Sequence, residues 1–273
     1  MSQQKPLVVA VAGNPNAGKS TLINAIAGSR LQVGNWPGVT VEKKEARFEV
    51  EGRSIRLFDL PGCYSLSPYS QEEIITRDYL VTEKPDLVIN VVDATNLERN
   101  LYLTTQLLEL GIPMIMALNI FDEAEAKGYK INTRQMEETL GIRVIPTSAV
   151  KRTGLENLLK AVISDTLTPP RNLKYGEDIE TVLAGLRDHL QRNHANLLDT
   201  YPQRWLLLKL MEGDNLVFKA ANIPAGSLPP KLFEHLLRAH GDDIEGLLAD
   251  TRYALSAGRS EEHTSELQSL AYL

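Results

Sequence analysis

The chain has 273 residues, 43% of them apolar and 23% charged, with a mean hydropathy of −0.19. At ~150 residues per domain this predicts about two folded domains and excludes a mostly disordered chain. A net charge of −6 with no block of five like charges leaves no electrostatic footprint for nucleic acid, and the single cysteine, Cys63, excludes an internal disulfide framework or a cysteine-based zinc site. No run reaches the ~18 uncharged apolar residues of a bilayer span, and the apolar run before Pro15 is too short for a signal peptide. The chain therefore reads as cytosolic, in a reducing compartment.

In chain order, Leu7–Ala12 is a continuous apolar run that fits a strand buried on both faces, and a helical pattern through Leu22, Ile23 and Ile26 follows it. Phe48 and Val50, then Ile55 and Leu57, alternate with polar residues around Glu51-Gly52-Arg53, which predicts a β-hairpin. Leu87–Asp93, Met114–Asn119 and Val144–Pro146 read as further buried strands, with a helix through Leu97, Leu101, Thr104 and Leu108 between the first two. Thr153-Gly154-Leu155-Glu156 is a capping-box pattern predicting a helix to about Thr166. Six strands alternating with helices give a mostly parallel α/β sheet.

Near Thr168-Pro169-Pro170-Arg171-Asn172 the pattern changes to purely helical spacing. Ile179, Val182, Leu183, Leu186 and Leu190 share one face, as do Leu232, Phe233, Leu236 and Leu237, then Ile244, Leu247, Leu248 and Leu255. The expected organisation is an α/β domain over residues 1–166 and a small all-α subdomain over 173–258. Residues 259–273 are read as a non-native tail, because Arg259–Ser269 (RSEEHTSELQS) matches the translation of a common sequencing-library adapter.

Gly13-Asn14-Pro15-Asn16-Ala17-Gly18-Lys19-Ser20 fits GxxxxGK[ST] between a strand and a helix. In that setting backbone N–H groups wrap phosphates, Lys19 reaches the β/γ-phosphates and Ser20 can ligate Mg²⁺. Asp59-Leu60-Pro61-Gly62 is DxxG at a strand end, where Asp59 can hold Mg²⁺ through a water and the Gly62 N–H can sense a γ-phosphate. Asn119-Ile120-Phe121-Asp122 is NxxD. The Asp122 carboxylate can accept from N1–H and the 2-amino group of guanine, a donor pair that adenine lacks. Ser148-Ala149 follows the next strand, and the Ala149 N–H is expected near guanine O6. Four such elements, ordered on successive strand ends, point to a Ras-like guanine-nucleotide switch.

Together with Gly34-Asn35-Trp36-Pro37-Gly38-Val39-Thr40-Val41-Glu42, the segments DLPGCYSL, Asn90–Ala94, Asn96–Leu101 and ALNIFD, the chain resembles the N-terminal cytosolic region of the ferrous iron transport protein B family, closely over residues 6 to about 165. The resemblance implies that Thr40 is the first-switch threonine joining Mg²⁺ in the GTP state, and that Asn16 helps hold K⁺. The implied nucleotide-binding set is Gly13 to Thr21, Gly38, Val39, Thr40, Asp59, Gly62, Asn119, Asp122, Ser148, Ala149 and Val150. Within it Lys19, Asn16, Thr40 and Gly62 act in hydrolysis, and Ser20, Thr40 and Asp59 serve Mg²⁺. It further implies GTP and GDP as ligands, a membrane pore in the same full-length chain, small Feo accessory proteins or a second copy as partners, and the cytoplasmic face of a bacterial inner membrane.

Cys63 stands where many Ras-like switches carry a water-orienting glutamine, and a neutral thiol with an unperturbed pKa of ~8.5 is a poor substitute. Slow intrinsic hydrolysis, stimulated by K⁺, is the expectation. Glu72 and Glu73 read as solvated helix charge before partner contacts, and Trp36 fits a packed aromatic as well as a lid or partner contact. His189 and His194, like His235 and His240, are about 140° apart around a helix and are not expected to face one metal. Two other functions compete: a soluble GTPase of ribosome assembly or RNA modification, which would want a basic appendage not visible after Thr166, and a GTP-gated binding module with incidental turnover.

Overall fold

The structure, a computed structural model, describes residues 5–164, 167–224 and 226–256. Its first half contains β1 (Leu7–Gly13), α1 (Lys19–Ala27), β2 (Leu31–Asn35), β3 (Glu42–Val50), β4 (Arg53–Asp59), α2 (Gln71–Glu83), β5 (Leu87–Asp93), α3 (Leu97–Glu109), β6 (Met114–Asn119), α4 (Phe121–Ala126), α5 (Thr133–Leu140), β7 (Arg143–Pro146) and α6 (Leu155–Val162). The strands form one sheet in the order β2-β3-β4-β1-β5-β6-β7, in which only the β2/β3 and β3/β4 pairs are antiparallel. Its parallel strands are covered on both faces, as such strands must be. Val9 and Val11 point to a core with Leu22 and Ile23 of α1 and Leu158 of α6. Ala10 and Ala12 point to the opposite core, with Leu80 of α2 and Leu103 and Leu107 of α3.

Among the described residues the sheet has seven strands rather than six. The extra strand, β2, pairs with β3 from Leu31↔Ala46 to Asn35↔Glu42. It was not legible because four of its five residues are exposed and no apolar alternation marks it. The capping box at Thr153 does not form either. Gly154 is the N-cap with φ +75° and no side-chain cap, while Thr153 exchanges two backbone hydrogen bonds with Ser148, each of 3.1 Å. A Cβ on Gly154 would fall 2.0 Å from the Pro146 carbonyl oxygen, so this turn requires glycine. The helix ends at Val162, not near Thr166.

The second half is α7 (Glu177–Asn193), α8 (Ala195–Thr200), α9 (Gln203–Met211), α10 (Asn215–Ala220), α11 (Glu234–His240) and α12 (Ile244–Ser256). Leu232 and Phe233 precede α11, in and just after a 3₁₀ turn, and pack from there. Helix α9 is buried along its whole C-terminal run from Trp205 to Met211, which erases the amphipathic signal. These helices share the core that covers the α2/α3 face of the sheet. A buried ionic cluster joins them to α3: Arg252 of α12 grips Glu109 with two bonds of 2.7 and 3.1 Å and reaches Glu212 at 2.6 Å, while Lys209 pairs with Glu212 at 2.6 Å and the Tyr175 hydroxyl donates to Glu109. The two halves are in contact at this seam. The proposed tail, residues 259–273, lies outside the described residues.

Candidate nucleotide site

The loop from Asn14 to Gly18 joins β1 to α1 at the carboxyl edge of the sheet. Asn16 (φ +66°) and Gly18 (φ +80°) adopt the left-handed conformation that curls successive N–H groups into an anion-binding concavity at a helix N-terminus. Gly18 is irreplaceable for a second reason. A Cβ there would lie 2.3 Å from the Asn119 side-chain nitrogen, because this loop is packed on the NxxD segment. Asn14 turns its amide away from the concavity and donates to the Arg99 carbonyl at 3.2 Å, tying the loop to α3.

Lys19, the first residue of α1, bonds Asp59, the last residue of β4, and both are buried. Parallel pairing of β1 with β4 (Val11↔Asp59) produces this approach across 40 residues of sequence. The DxxG turn lies against the phosphate loop, with the Cys63 N–H donating to the Gly13 carbonyl at 3.3 Å and the Gly62 Cα facing Pro15. Ser20 and Thr21 are exposed at the start of α1. A serine hydroxyl and a carboxylate are hard oxygen donors that suit Mg²⁺, which keeps most of its waters and phosphate ligands. Among the described residues no group of three or more His, Cys, Asp or Glu side chains is placed to hold a metal by itself.

At the other end of the site, Asn119 is 1% exposed and joins three loops. Its amide donates to the Ala17 carbonyl at 3.0 Å, and its oxygen accepts from the Ala149 N–H at 3.1 Å and from the Thr147 hydroxyl at 3.4 Å. The sequence reading aimed that Ala149 N–H at guanine O6; the structure gives it to Asn119 instead. Ile120, left-handed at φ +58°, turns the chain so that Asp122 lies in the first turn of α4 with its half-buried carboxylate 3.0 Å from Lys151. Hydrogen bonds from Lys151 and then Ser148 hold the Asp122 carboxyl below the usual range, so it stays an ionised double acceptor. Lys151 was not singled out from sequence, although it stands two residues after Ala149. Val150 is exposed.

The segment expected to act as the first switch is not assembled with these groups. Gly38 and Thr40 are exposed and Val39 is half-buried on the turn between β2 and β3, which is closed by a Trp36 N–H bond of 3.0 Å to the Val41 carbonyl. Trp36 itself is buried, so packing is its observed role in this structure. Glu73 is also buried: it forms a reciprocal capping box with Ser70 at the start of α2 and accepts from the Ser65 hydroxyl at 2.9 Å. Only Glu72 of that pair is solvated. Cys63 faces the core, and burial pushes its thiol up to about 12. It does not ionise at neutral pH. His235 and His240 do approach one group, the Asp178 carboxylate at 3.4 and 3.2 Å, because His240 ends its helix.

A phosphate loop, a DxxG aspartate, and an NxxD aspartate locked to a third loop, all at one sheet edge, form a GTPase site. The family described as ferrous iron transport protein B matches residues 7–162, and the description of its cytosolic helical domain matches residues 175–263. The chain belongs to the ferrous iron transport protein B family. The FeoB fusion protein of Porphyromonas gingivalis, which carries Fe(2+) transport protein A in the same chain, is 41% identical over 93% of this chain. The Fe(2+) transporter FeoB of Escherichia coli K12 is 41% identical over 91% of it. Each match spans 32% of the relative, so the chain covers about a third of the length of these curated FeoB proteins. Among solved structures, an S. thermophilus NFeoB mutant bound to GDP superposes with a TM-score of 0.85 at 36% identity, over 97% of this chain and 98% of that one. The cytosolic domain of T. maritima FeoB in its GMPPNP form gives 0.81 at 35% identity, over 94% and 98%. Among the described residues no helix is long and apolar enough to cross a membrane.

Proposed function

We propose that this chain binds GTP with Mg²⁺, hydrolyses it slowly with K⁺ as activator, and forms the nucleotide-responsive part of a longer protein that moves Fe²⁺ across a bacterial inner membrane. The Asn119–Asp122 arrangement carries the guanine assignment: one residue fixes the loop and the other presents an ionised carboxylate. Gly13 to Thr21 would cradle the phosphates, with the Lys19 ammonium released from Asp59 to the β/γ-phosphates. Ser20 and Asp59 would hold Mg²⁺, which supplies charge neutralisation at the transferring phosphoryl group. Thr40 and Gly62 would contact the γ-phosphate side only before cleavage, so hydrolysis releases both. A backbone carbonyl or side-chain oxygen from Asn16, exposed at the rim of the loop, would face K⁺.

The pairing of Fe(2+) transport protein A with FeoB in the P. gingivalis relative supports small accessory proteins as partners. The pore of the full-length chain is the other proposed partner, and self-association through a second copy is compatible with both. The proposed boundary is a G domain over 1–166 and a helical subdomain over 173–258. Family membership sets aside the soluble ribosome-assembly GTPase. The test is phosphate release under GTP saturation in K⁺ and in Na⁺. Turnover should be several-fold faster in K⁺, and Asn16→Ala should erase the difference; equal rates in both salts, unchanged in the variant, would overturn the activator role. No turnover in either salt, with GTP bound, would leave the gated-module reading.

A further inference from the structure

Trp36 lies in the first switch, yet it is only 7% exposed. Its ring meets Tyr79 of α2 edge-on, with centroids 5.3 Å apart and planes at 74°. Phe58 of β4 stands 5.3 Å from Tyr79, and the Lys43 ammonium lies 5.0 Å from the Trp36 centroid and 5.1 Å from that of Phe58. The Tyr79 ring thus meets both Trp36 and Phe58, and the Lys43 ammonium lies against those same two rings. Val39 and Val41 pack on the same core, and the Trp36–Val41 backbone bond closes the turn that carries Thr40. The place of Thr40 is therefore fixed by where Trp36 docks.

Two observations bear on whether this docking serves stability alone. The Trp36 Nε1–H is buried without a hydrogen-bond partner, which a tryptophan buried for stability alone usually avoids. Trp205 shares that defect, but it sits in α9 among helices and carries no switch. The docked turn also leaves exposed the one residue, Thr40, that the Mg²⁺ site still needs.

We propose that Trp36 is a positioning residue for the GTPase reaction: docked between Lys43 and Tyr79 it holds Thr40 away from the metal site, and it undocks when GTP·Mg²⁺ draws Thr40 in. This rests on the guanine-nucleotide reading above. Because Tyr79 belongs to α2, the helix after DxxG, undocking also removes a contact between the Thr40 turn and that helix, so one event loosens both. GTP has to outcompete the docking contacts, whereas GDP does not, and weakening them shifts the population toward the GTP form.

The experiment is ¹⁹F NMR of the protein carrying 5-fluorotryptophan, with the Trp36 resonance assigned by its loss in Trp36→Phe and Trp205 as the internal reference. With Mg²⁺ and a non-hydrolysable GTP analogue the Trp36 resonance should move to a solvent-exposed position, and with GDP it should stay; Trp205 should hold in both. Trp36→Ala should raise affinity for the analogue relative to GDP by roughly three- to tenfold, the value of an aromatic edge contact, and Trp36→Phe should do so less. A Trp36 resonance that is the same in both nucleotide states, or an alanine variant that changes both affinities equally, overturns the proposal. If Trp36→Ala does not fold, the NMR of the unsubstituted chain decides alone. Failure to bind either nucleotide in the same titration would instead reject the guanine reading.

Discussion

The base end and the switch end of this site are built on opposite principles. At the base end, Asn119 is buried and makes three hydrogen bonds to two other loops, and Ser148 is pinned by its two backbone bonds to Thr153. At the end proposed as the switch, Thr40 stands exposed on a turn held by the buried Trp36 ring, by half-buried Val39 and Val41 and by the Trp36–Val41 backbone bond. Recognition of the base needs fixed donors and acceptors, because a partner that must be ordered on binding costs affinity. Sensing the γ-phosphate needs the reverse, an element with two positions of similar energy.

The contrast can be broken experimentally. The largest effect is expected for Asp122→Asn, which replaces a double acceptor by a group with one donor and one acceptor. GTP affinity should fall by roughly 100-fold, the value of two hydrogen bonds to a charged group, and xanthine nucleotides should gain; unchanged base preference in a competition titration would remove Asp122 from the base site. The pH dependence follows from the same carboxylate. Its folded pKa is lowered, so the ionised acceptor is present above the ordinary aspartate value and is lost only as pH falls through the lower folded one. The part of GDP affinity that Asp122→Asn removes should accordingly be constant from about pH 8 to pH 5, whatever the nucleotide's own phosphate titration adds to both proteins.

Next in size, Asn119→Ala removes three buried hydrogen bonds at about 1 kcal/mol each and should cost about 3 kcal/mol in denaturant unfolding, with GDP affinity falling alongside. A loss confined to affinity, with stability intact, would show that Asn119 is a ligand contact and not the lock. The smallest effect belongs to the position after DxxG. Cys63→Ala should change the hydrolysis rate by less than about twofold, because the thiol faces the core and stays protonated, and the native protein should resist alkylation at pH 8.

Much of this was legible in one dimension. Strands buried on both faces announce themselves as unbroken apolar runs, which is why β1, β5 and β6 were read with their ends nearly right. The phosphate loop and NxxD were legible for a different reason: their chemistry demands fixed residue types at fixed spacing. Exposure hid β2, whose residues have no apolar face to betray a strand, and burial of the whole run from Trp205 to Met211 hid α9, which there has no solvent-facing side to betray a helix. Thr153 and Glu156 had capping-box spacing, yet Thr153 was claimed by a backbone pair with Ser148. Ser70 and Glu73, with the same spacing, formed the box that had not been picked out.

The composition and motifs by themselves determined an α/β nucleotide-binding half, a helical half, a guanine preference and the absence of a glutamine after DxxG. Each of these depends on residue identity over short spans, where local geometry and chemistry suffice. Tertiary structure alone decided that Lys19 meets Asp59 across the β1/β4 pair, that Arg252 meets Glu109 across 143 residues, and that Trp36 leaves its loop to lie beside Tyr79. Those pairings depend on which elements the packed core makes neighbours, a property of the whole chain that no local pattern encodes.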